Sequence, residues 1–354
     1  MSGIAGTSRG NPPRIVIYGT GQFGLAIARL ATQKGWPIVA AFNRAGPKIG
    51  QDVGRLAGLD RDLGIIVQDC ETSSYEGLSA DIGVVTVSNR LRDNLPAYRR
   101  LMNAGLNVIC HGTEAYFPHG SDAALAAEID AFARRMGVTF TGGGIWDMSR
   151  IWSGILLAGT CTEIHSMFHS SITDCSRIGK AQMMFTGVGL TVEEFASRNL
   201  GSLPALVSYK TIPEHVLTAL GYTLQGSATT VEPVIFADPI DCPLLERAIP
   251  AGQCVGTRII AEVATEEGVS ARAEIELRLF REGEVEHMFW SISGKPVTRV
   301  RTEREDSGHA SAACLFNRIP DVIQAPPGIV LVSQLGPLKH SSPTRHPHPI
   351  TPAS

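Results

Sequence analysis

Short apolar runs alternate with amphipathic stretches through the first part of the chain. Arg14–Tyr18 is rich in β-branched residues and reads as a buried strand. Leu25–Lys34 carries apolar residues at helical spacing. Pro37–Phe42, Ile65–Gln68, Ile82–Val87, Asn107–Cys110 and Val138–Thr141 read as further strands. Between them, Asp93–Gly105 predicts a helix with Leu95, Tyr98, Leu101 and Met102 on one face. Asp122–Met136 predicts an Ala-rich helix with Ser121 as its N-cap. Strand alternating with helix predicts an α/β unit built on a doubly wound parallel sheet.

The pattern changes after Gly142-Gly-Gly144. Ser149–Leu157 reads as helix, and Cys161–Thr173 alternates like a strand. Thr191-Val-Glu-Glu194 has the spacing of a capping box, and Pro213–Gly221 predicts another helix. Arg258–Val263, Ala271–Phe280 and Glu286–Ile292 alternate over long stretches, and Arg281–Glu284 supplies a turn between the last two. This half is predicted to be α+β with a mixed or antiparallel sheet. Ala310–Asn317 reads as a helix returning to the first unit. The expected division is 13–143 plus about 306–336 for the first domain and 144–305 for the second. Residues 337–354, rich in Pro, His, Ser and Thr, are expected to form a flexible tail or arm.

Composition narrows the function. The chain has 354 residues, 44% of them hydrophobic and 18% charged, with a formal net charge of −3. A nucleic-acid protein needs a basic face, and this chain offers no excess of cations. No run of about 20 apolar residues is present, so no membrane span is predicted. Met1–Asn11 lacks the apolar centre of a signal peptide. The seven cysteines show no CxxC pair and no zinc-site spacing, which predicts free thiols in a cytoplasmic protein. His165 and His169 stand four apart, but in a strand-like stretch. No metal site is predicted.

Gly19-Thr20-Gly21-Gln22-Phe23-Gly24 lies directly between the first strand and the first helix. Gly19 allows the tight turn, Gly21 admits a pyrophosphate close to the backbone, and Gly24 lets helix and strand pack closely. The helix N-terminus favours phosphate charge. A dinucleotide is therefore expected here. The second strand runs into Asn43 and Arg44, where an NAD site usually carries an acid for the ribose hydroxyl. Asn43 can bond the ribose, while Arg44 and Lys48 offer charge to a 2′-phosphate. NADP(H) is favoured; if both cations are merely solvated, NAD serves as well.

Ligands of such sheets sit beyond the carboxyl ends of the strands. Two ends qualify: Ser88-Asn89, and His111-Gly112-Thr113-Glu114. Glu114 precedes Tyr116 and Phe117. A carboxylate among rings could have a raised pKa and move protons near neutrality; from position alone it could equally be a surface glutamate. His111 could be a general acid or a residue that hydrogen-bonds near the nicotinamide. Trp146 and Met148 follow the Gly142–Gly144 junction and could wall a pocket or pack a hinge. Phe168, Thr173, Met183 and Met184 could line the same pocket, or Met183 and Met184 could be ordinary core.

Several segments resemble the 2,4-diaminopentanoate dehydrogenase family, which includes native amine dehydrogenases and shares its fold with dihydrodipicolinate reductase. They are the Arg14–Gly24 loop, Pro47–Gly54, Asn107–Glu114, Thr173–Arg177, Thr186–Phe195 and Ile319–Gly328. The resemblance spans roughly 14–335. It implies a Rossmann domain completed by the C-terminal helix, and a central domain whose sheet forms a homodimer. It implies oxidative deamination of an amine, or reductive amination of a ketone with ammonia. The family's catalytic glutamate falls on Glu114. Where the diamino-acid enzymes carry Asn-Pro-Gly, this chain has Trp146-Asp147-Met148. That departure favours an apolar ketone or amine with no carboxylate at the reacting carbon. The other readings are a diamino-acid dehydrogenase and a non-catalytic NADP-binding regulator.

Overall fold

The structure is a computed structural model that describes residues 11–177, 180–200 and 203–341. Its first sheet has seven parallel strands in the order β15-β6-β5-β4-β1-β2-β3. In chain order these are β1 (Ile15–Tyr18), β2 (Ile38–Asn43), β3 (Val67–Asp69), β4 (Ile82–Val85), β5 (Asn107–Cys110), β6 (Thr139–Gly142) and, from the far end of the chain, β15 (Gly328–Ile329). Every residue of β1, β4 and β6 is buried, as a parallel sheet covered on both faces requires. One cover includes the helix Gln22–Lys34, whose Ile27, Leu30 and Ala31 pack against Leu315, Phe316 and Ile319 of the helix Ser307–Gln324. The stacked pair Trp36–Phe316 closes that contact.

Two local expectations change. The helix Ala123–Met136 is capped by Asp122, whose side chain accepts from the Leu125 N–H at 3.0 Å. Ser121 instead closes the preceding short helix Pro118–Ser121 and donates to the Glu114 and Phe117 carbonyls. Asp122 is where the backbone turns extended, so it alone can cap. The C-terminal helix runs through Pro320 to Gln324 rather than stopping at Asn317. Burial of Ile319 and Val322 against the first sheet's cover outweighs the missing proline N–H.

The second sheet has the order β14-β13-β7-β12-β11-β8. Its strands are β7 (Glu163–Asp174), β8 (Leu224–Ile235), β11 (Cys254–Thr265), β12 (Ser270–Arg278), β13 (Glu286–Lys295) and β14 (Thr298–Arg304); β9 (Ile240–Cys242) and β10 (Arg247–Ile249) form a small ribbon apart. The sheet is mixed: β7 lies parallel to β12 and antiparallel to β13. Hence β12 and β13 do not pair as a hairpin across Arg281–Glu284; β7 is inserted between them. The edge strands β8 and β14 have little apolar alternation, because most of their residues are at least partly exposed. They carry no sequence signal of the kind that marks β11.

Along β7, Met167, His169 and Ser171 are buried on the inner face. The helix Thr211–Ala219 and the turn and helix 147–158 cover this face with Ile151, Leu157, Ile212, Val216 and Leu217. Trp290 of β13 lies beneath them. A Cβ on Gly154 would stand 3.0 Å from its ring, so a side chain there would press on the indole and glycine lets the covering helix sit close. Among the described residues, no helix is long and apolar enough to cross a membrane.

Candidate active site

The phosphate loop is shaped by its glycines. Gly19 has φ +104°, and a Cβ there would lie 2.8 Å from Thr86 Oγ1. A Cβ on Gly24 would lie 1.9 Å from the Gly19 carbonyl oxygen. One on Gly21 would meet nothing of the described residues within 4 Å. Gly21 is also the N-cap of the helix Gln22–Lys34, so the open side of the loop coincides with the helix N-terminus. Thr20 Oγ1 is buried there with no partner among the described residues. A tight turn, an open approach and an orphan hydroxyl fit a pyrophosphate.

The Asn43 side-chain oxygen accepts from the Thr20 N–H at 3.4 Å, and Lys48 donates to the Thr20 carbonyl. Arg44 is exposed, and Gln22 is exposed beside the loop. Asp69 of β3 stands across from Asn43 in the strand register, with Oδ1 accepting from the Glu71 N–H. This carboxylate was not anticipated from the sequence, because it belongs to the neighbouring strand rather than to β2.

Phe23 stacks on His111 at 3.5 Å between ring centres and 10° between planes. Burial pushes the His111 pKa down to about 4, and its Nδ1 has no partner among the described residues. It is therefore a neutral imidazole at physiological pH, a poor proton donor. The Ser88–Asn89 segment packs directly on the Gly112–Glu114 turn. The Glu114 N–H donates to the Asn89 carbonyl at 3.1 Å, and a Cβ on Gly112 would lie 2.6 Å from the Ser88 carbonyl oxygen.

Glu114 is partly buried just past the end of β5. Its Oε2 accepts from the Leu91 N–H at 2.8 Å, at the N-terminus of the helix Leu91–Asn103. Burial raises its pKa, while the Leu91 N–H and Arg90 act in the opposite sense. Thr113 and Ser208 hydroxyls meet at 3.1 Å, joining this turn to the segment that carries Tyr209.

From Gly144 the chain enters a π-helical turn, Asp147–Trp152. A Cβ on Gly144 would lie 2.4 Å from the Tyr116 hydroxyl and 3.1 Å from His111 Nδ1, so glycine brings these two groups together. Trp146 is buried and stacks on Tyr116 at 5.1 Å, with Tyr209 tilted against it at 4.9 Å. Arg150 lies over the Trp146 ring at 4.7 Å and near the Tyr209 ring at 5.2 Å. A wall of rings thus runs from Phe23 through His111, Tyr116 and Trp146 to Arg150.

The other pocket candidates divide. Thr173 receives a long hydrogen bond from Arg304 at 3.4 Å and shares the strand face of His169 and Ser171. Phe168 points to the opposite face of the sheet, where it meets Phe289, so it is separated from Trp146 by the sheet itself. Met183 is buried in a different cluster with Cys175, Val188 and Cys242, which is the ordinary-core alternative. Met148 and Met184 are each 38% exposed. Arg150 and Tyr209 were not singled out from the sequence. The signal for Arg150 was available: a lone cation inside an otherwise apolar helical stretch.

Comparisons with known proteins bear on the fold and the family. The profile of the 2,4-diaminopentanoate dehydrogenase C-terminal domain matches residues 153–342. A 2,4-diaminopentanoate dehydrogenase from Acetoanaerobium sticklandii is 26% identical over 332 residues, which is 89% of this chain and 91% of the relative. The structure of an amine dehydrogenase from Mycobacterium smegmatis superposes with a TM-score of 0.84 at 29% identity, covering 94% of this chain and 98% of that one. A myo-inositol 2-dehydrogenase from Lactobacillus plantarum shares the fold, with a TM-score of 0.56 at 16% identity over 92% of this chain and 94% of its own. Fold and loop define a nicotinamide-dependent dehydrogenase. The chain belongs to the 2,4-diaminopentanoate dehydrogenase family.

Proposed function

We propose that the protein is an amine dehydrogenase, preferring NADP(H), that interconverts a ketone plus ammonia with a primary amine. The observation that carries this reading is Glu114: a partly buried carboxylate of raised proton affinity, fixed by the Leu91 N–H next to the loop Ser88–Asn89. The similarity to an amine dehydrogenase and to a 2,4-diaminopentanoate dehydrogenase supports the nitrogen chemistry.

When bound at Gly19–Gly24, the nicotinamide cofactor supplies or accepts the hydride. The residues of the chain then have separate tasks. Leu91 N–H holds Glu114 Oε2, which leaves the other carboxylate oxygen to take a proton from ammonium and return one to the departing hydroxyl. As a carboxylate, Glu114 also stabilises the cationic iminium carbon that receives the hydride. Neutral His111 and Phe23 form an uncharged, stacked wall at the loop. Trp146 and Tyr116 exclude water from the reacting carbon. Exposed Arg44 supports the preference for a 2′-phosphate, with Asp69 opposite Asn43 as the feature that would admit NAD.

The outer face of the second sheet, with Phe168 and Phe289, would join two copies as a homodimer, and the free thiols fit a cytoplasmic protein. The experiment is NADPH oxidation with a panel of ketones, with and without ammonium. Strict dependence on ammonium supports the reading. Ammonium-independent oxidation makes the protein a ketone reductase. Tight NADPH binding with no turnover of any ketone or amine makes it a regulator.

A further inference from the structure

The ladder joining β4 to β5 ends where the His111 N–H donates to the Val85 carbonyl at 3.0 Å. The loop Ser88–Arg90 lies beyond that bond. It nevertheless fixes Glu114 at two points. The Glu114 N–H donates to the Asn89 carbonyl at 3.1 Å, and the Leu91 N–H donates to Glu114 Oε2 at 2.8 Å. Any shift of the loop therefore moves both partners of Glu114.

One side chain takes over from the ladder. Asn94 is 1% exposed and stands one turn inside the helix Leu91–Asn103. Its Oδ1 accepts from the Ser88 N–H at 3.1 Å, and its Nδ2 donates to the Ser88 carbonyl at 2.7 Å. A backbone N–H can only donate and a carbonyl can only accept, so these two bonds fix which way the amide faces. The amide satisfies Ser88 as a neighbouring strand would. Nδ2 also reaches the Sγ of Cys110, the last residue of β5, at 3.5 Å. The Tyr98 hydroxyl and the Gly112 N–H converge on the same sulfur at 3.0 Å and 3.2 Å. Burial pushes the Cys110 thiol up to about 11, so it stays neutral. Asn94 thus ties the loop after β4 to the strand end that leads into Glu114.

An asparagine that served only the helix would stand at the N-cap. That place belongs to Arg90, whose side chain makes no capping bond. Inside a helix, asparagine is a poor former because its amide competes for backbone groups outside it. Here the competing bonds are the ones that hold the loop.

We infer that Asn94 is a positioning residue for the proton transfers of Glu114: its amide sets the loop Ser88–Arg90, and through that loop the Leu91 N–H and the Asn89 carbonyl hold the carboxylate in place. The inference deepens the dehydrogenase reading and rests on Glu114 as its proton shuttle. Asn94 touches neither substrate nor cofactor in this role.

The test compares wild type, Asn94→Leu, Asn94→Asp, Glu114→Gln and the double variant Asn94→Leu/Glu114→Gln, with NADPH, ammonium and a ketone that turns over. Leucine fills the space without hydrogen bonds. Aspartate keeps the acceptor for the Ser88 N–H and loses the donor to the Ser88 carbonyl, so it serves if Asn94→Leu fails to fold. Asn94→Leu should lower kcat by about 10–100-fold, the scale of a misplaced catalytic group, and change the Kd for NADPH by less than about threefold. In the Glu114→Gln background the same substitution should cost less than about threefold, because the group it positions is already gone. The Leu91 N–H favours the ionised carboxyl, so loosening it should move the acid limb of the kcat profile up by about one pH unit. The charges that face Glu114 are Arg90, Asp93 and Asp122, and Asn94→Leu alters none of them. The Glu114 carboxyl, followed by ¹³C NMR and assigned by its loss in Glu114→Gln, should titrate higher in Asn94→Leu by the same amount. A wild-type kcat with an unmoved limb would overturn the inference, as would an equal loss of kcat in the Glu114→Gln background, which marks a purely structural residue. Wild-type turnover by Glu114→Gln sinks the Glu114 reading instead. The ¹³C titration needs no turnover and decides the Asn94 part by itself: an unshifted carboxyl overturns it.

Discussion

Two guanidiniums are buried at the turn Asp147–Trp152, one from within it and one from the C-terminal helix, and their surroundings differ. Arg318, with no exposed surface, makes two 2.7 Å bonds to Asp147, a third at 2.8 Å to Asp321, and further bonds to the Leu335 and Gly336 carbonyls. Its charge is matched, and its fork is nearly filled. Arg150 has no carboxylate among the described residues: it meets the Ser171 hydroxyl, the Trp146 ring and Tyr209. The first site ties the C-terminal helix to the start of the turn and is complete without any ligand. The second is incomplete in charge and hydrogen bonding, in the same wall of rings as His111. Burial alone therefore does not say how a charge is held; the state of its partners does.

The largest effect should come from the reactive end of the wall. Glu114→Gln keeps an acceptor for the Leu91 N–H but removes the proton shuttle. It should lower kcat by ~10²–10⁴-fold while the Kd for NADPH, read by fluorescence titration, changes little. Retained turnover would remove Glu114 from the mechanism. On the paired side, Arg318→Met should act on stability instead. Leaving Asp147 alone in the interior should cost about 3–5 kcal/mol in denaturant unfolding. Burial already holds the Asp147 pKa up at about 6. The loss should therefore be smaller at pH 5, where this carboxyl is largely neutral, than at pH 8.

Within the phosphate loop, Gly24→Ala should destabilise the protein by about 1–3 kcal/mol, because its Cβ meets backbone at 1.9 Å. Gly21→Ala should leave the melting temperature unchanged and weaken only cofactor binding. Equal melting losses for both would contradict the assignment of the open side. Lowering the pH should unfold the protein through its buried histidines. Burial lowers the pKa of His111 to about 4, of His215 to about 3, and of His169 well below its ordinary value. The unfolded chain binds these protons first, so stability is full above pH ~6.5 and falls as the pH drops toward 4. A Tm that stays flat across that window would refute this. The smallest effect should be Arg44→Glu, which should shift the NADPH-to-NADH preference by about tenfold toward NADH.

The phosphate loop could be read from sequence because glycine spacing encodes backbone geometry within a few residues. The strands of the first sheet were visible for the same local reason: β1, β4 and β5 are nearly continuous apolar runs. The second sheet was visible only in part. The alternation in β11 and β12 marks strands, but nothing local to Arg281–Glu284 says that β7 lies between β12 and β13. Edge strands β8 and β14 are polar and escaped notice. The substrate side depends on contacts distant in sequence: Tyr116 with Trp146, Tyr209 with Arg150, and Arg318 with Asp147 across 171 residues. Alternation along β7 already placed Phe168 and His169 on opposite faces, yet only the structure says which face meets Trp146.

One measurement tests the central claim most directly. Purified protein is supplied with NADPH, a ketone from the panel and ¹⁵N-ammonium, and the product is identified by mass spectrometry. A primary amine carrying ¹⁵N, formed in step with NADPH consumed, is the expected result. An alcohol in place of the amine, or NADPH consumed without nitrogen entering the product, would contradict it.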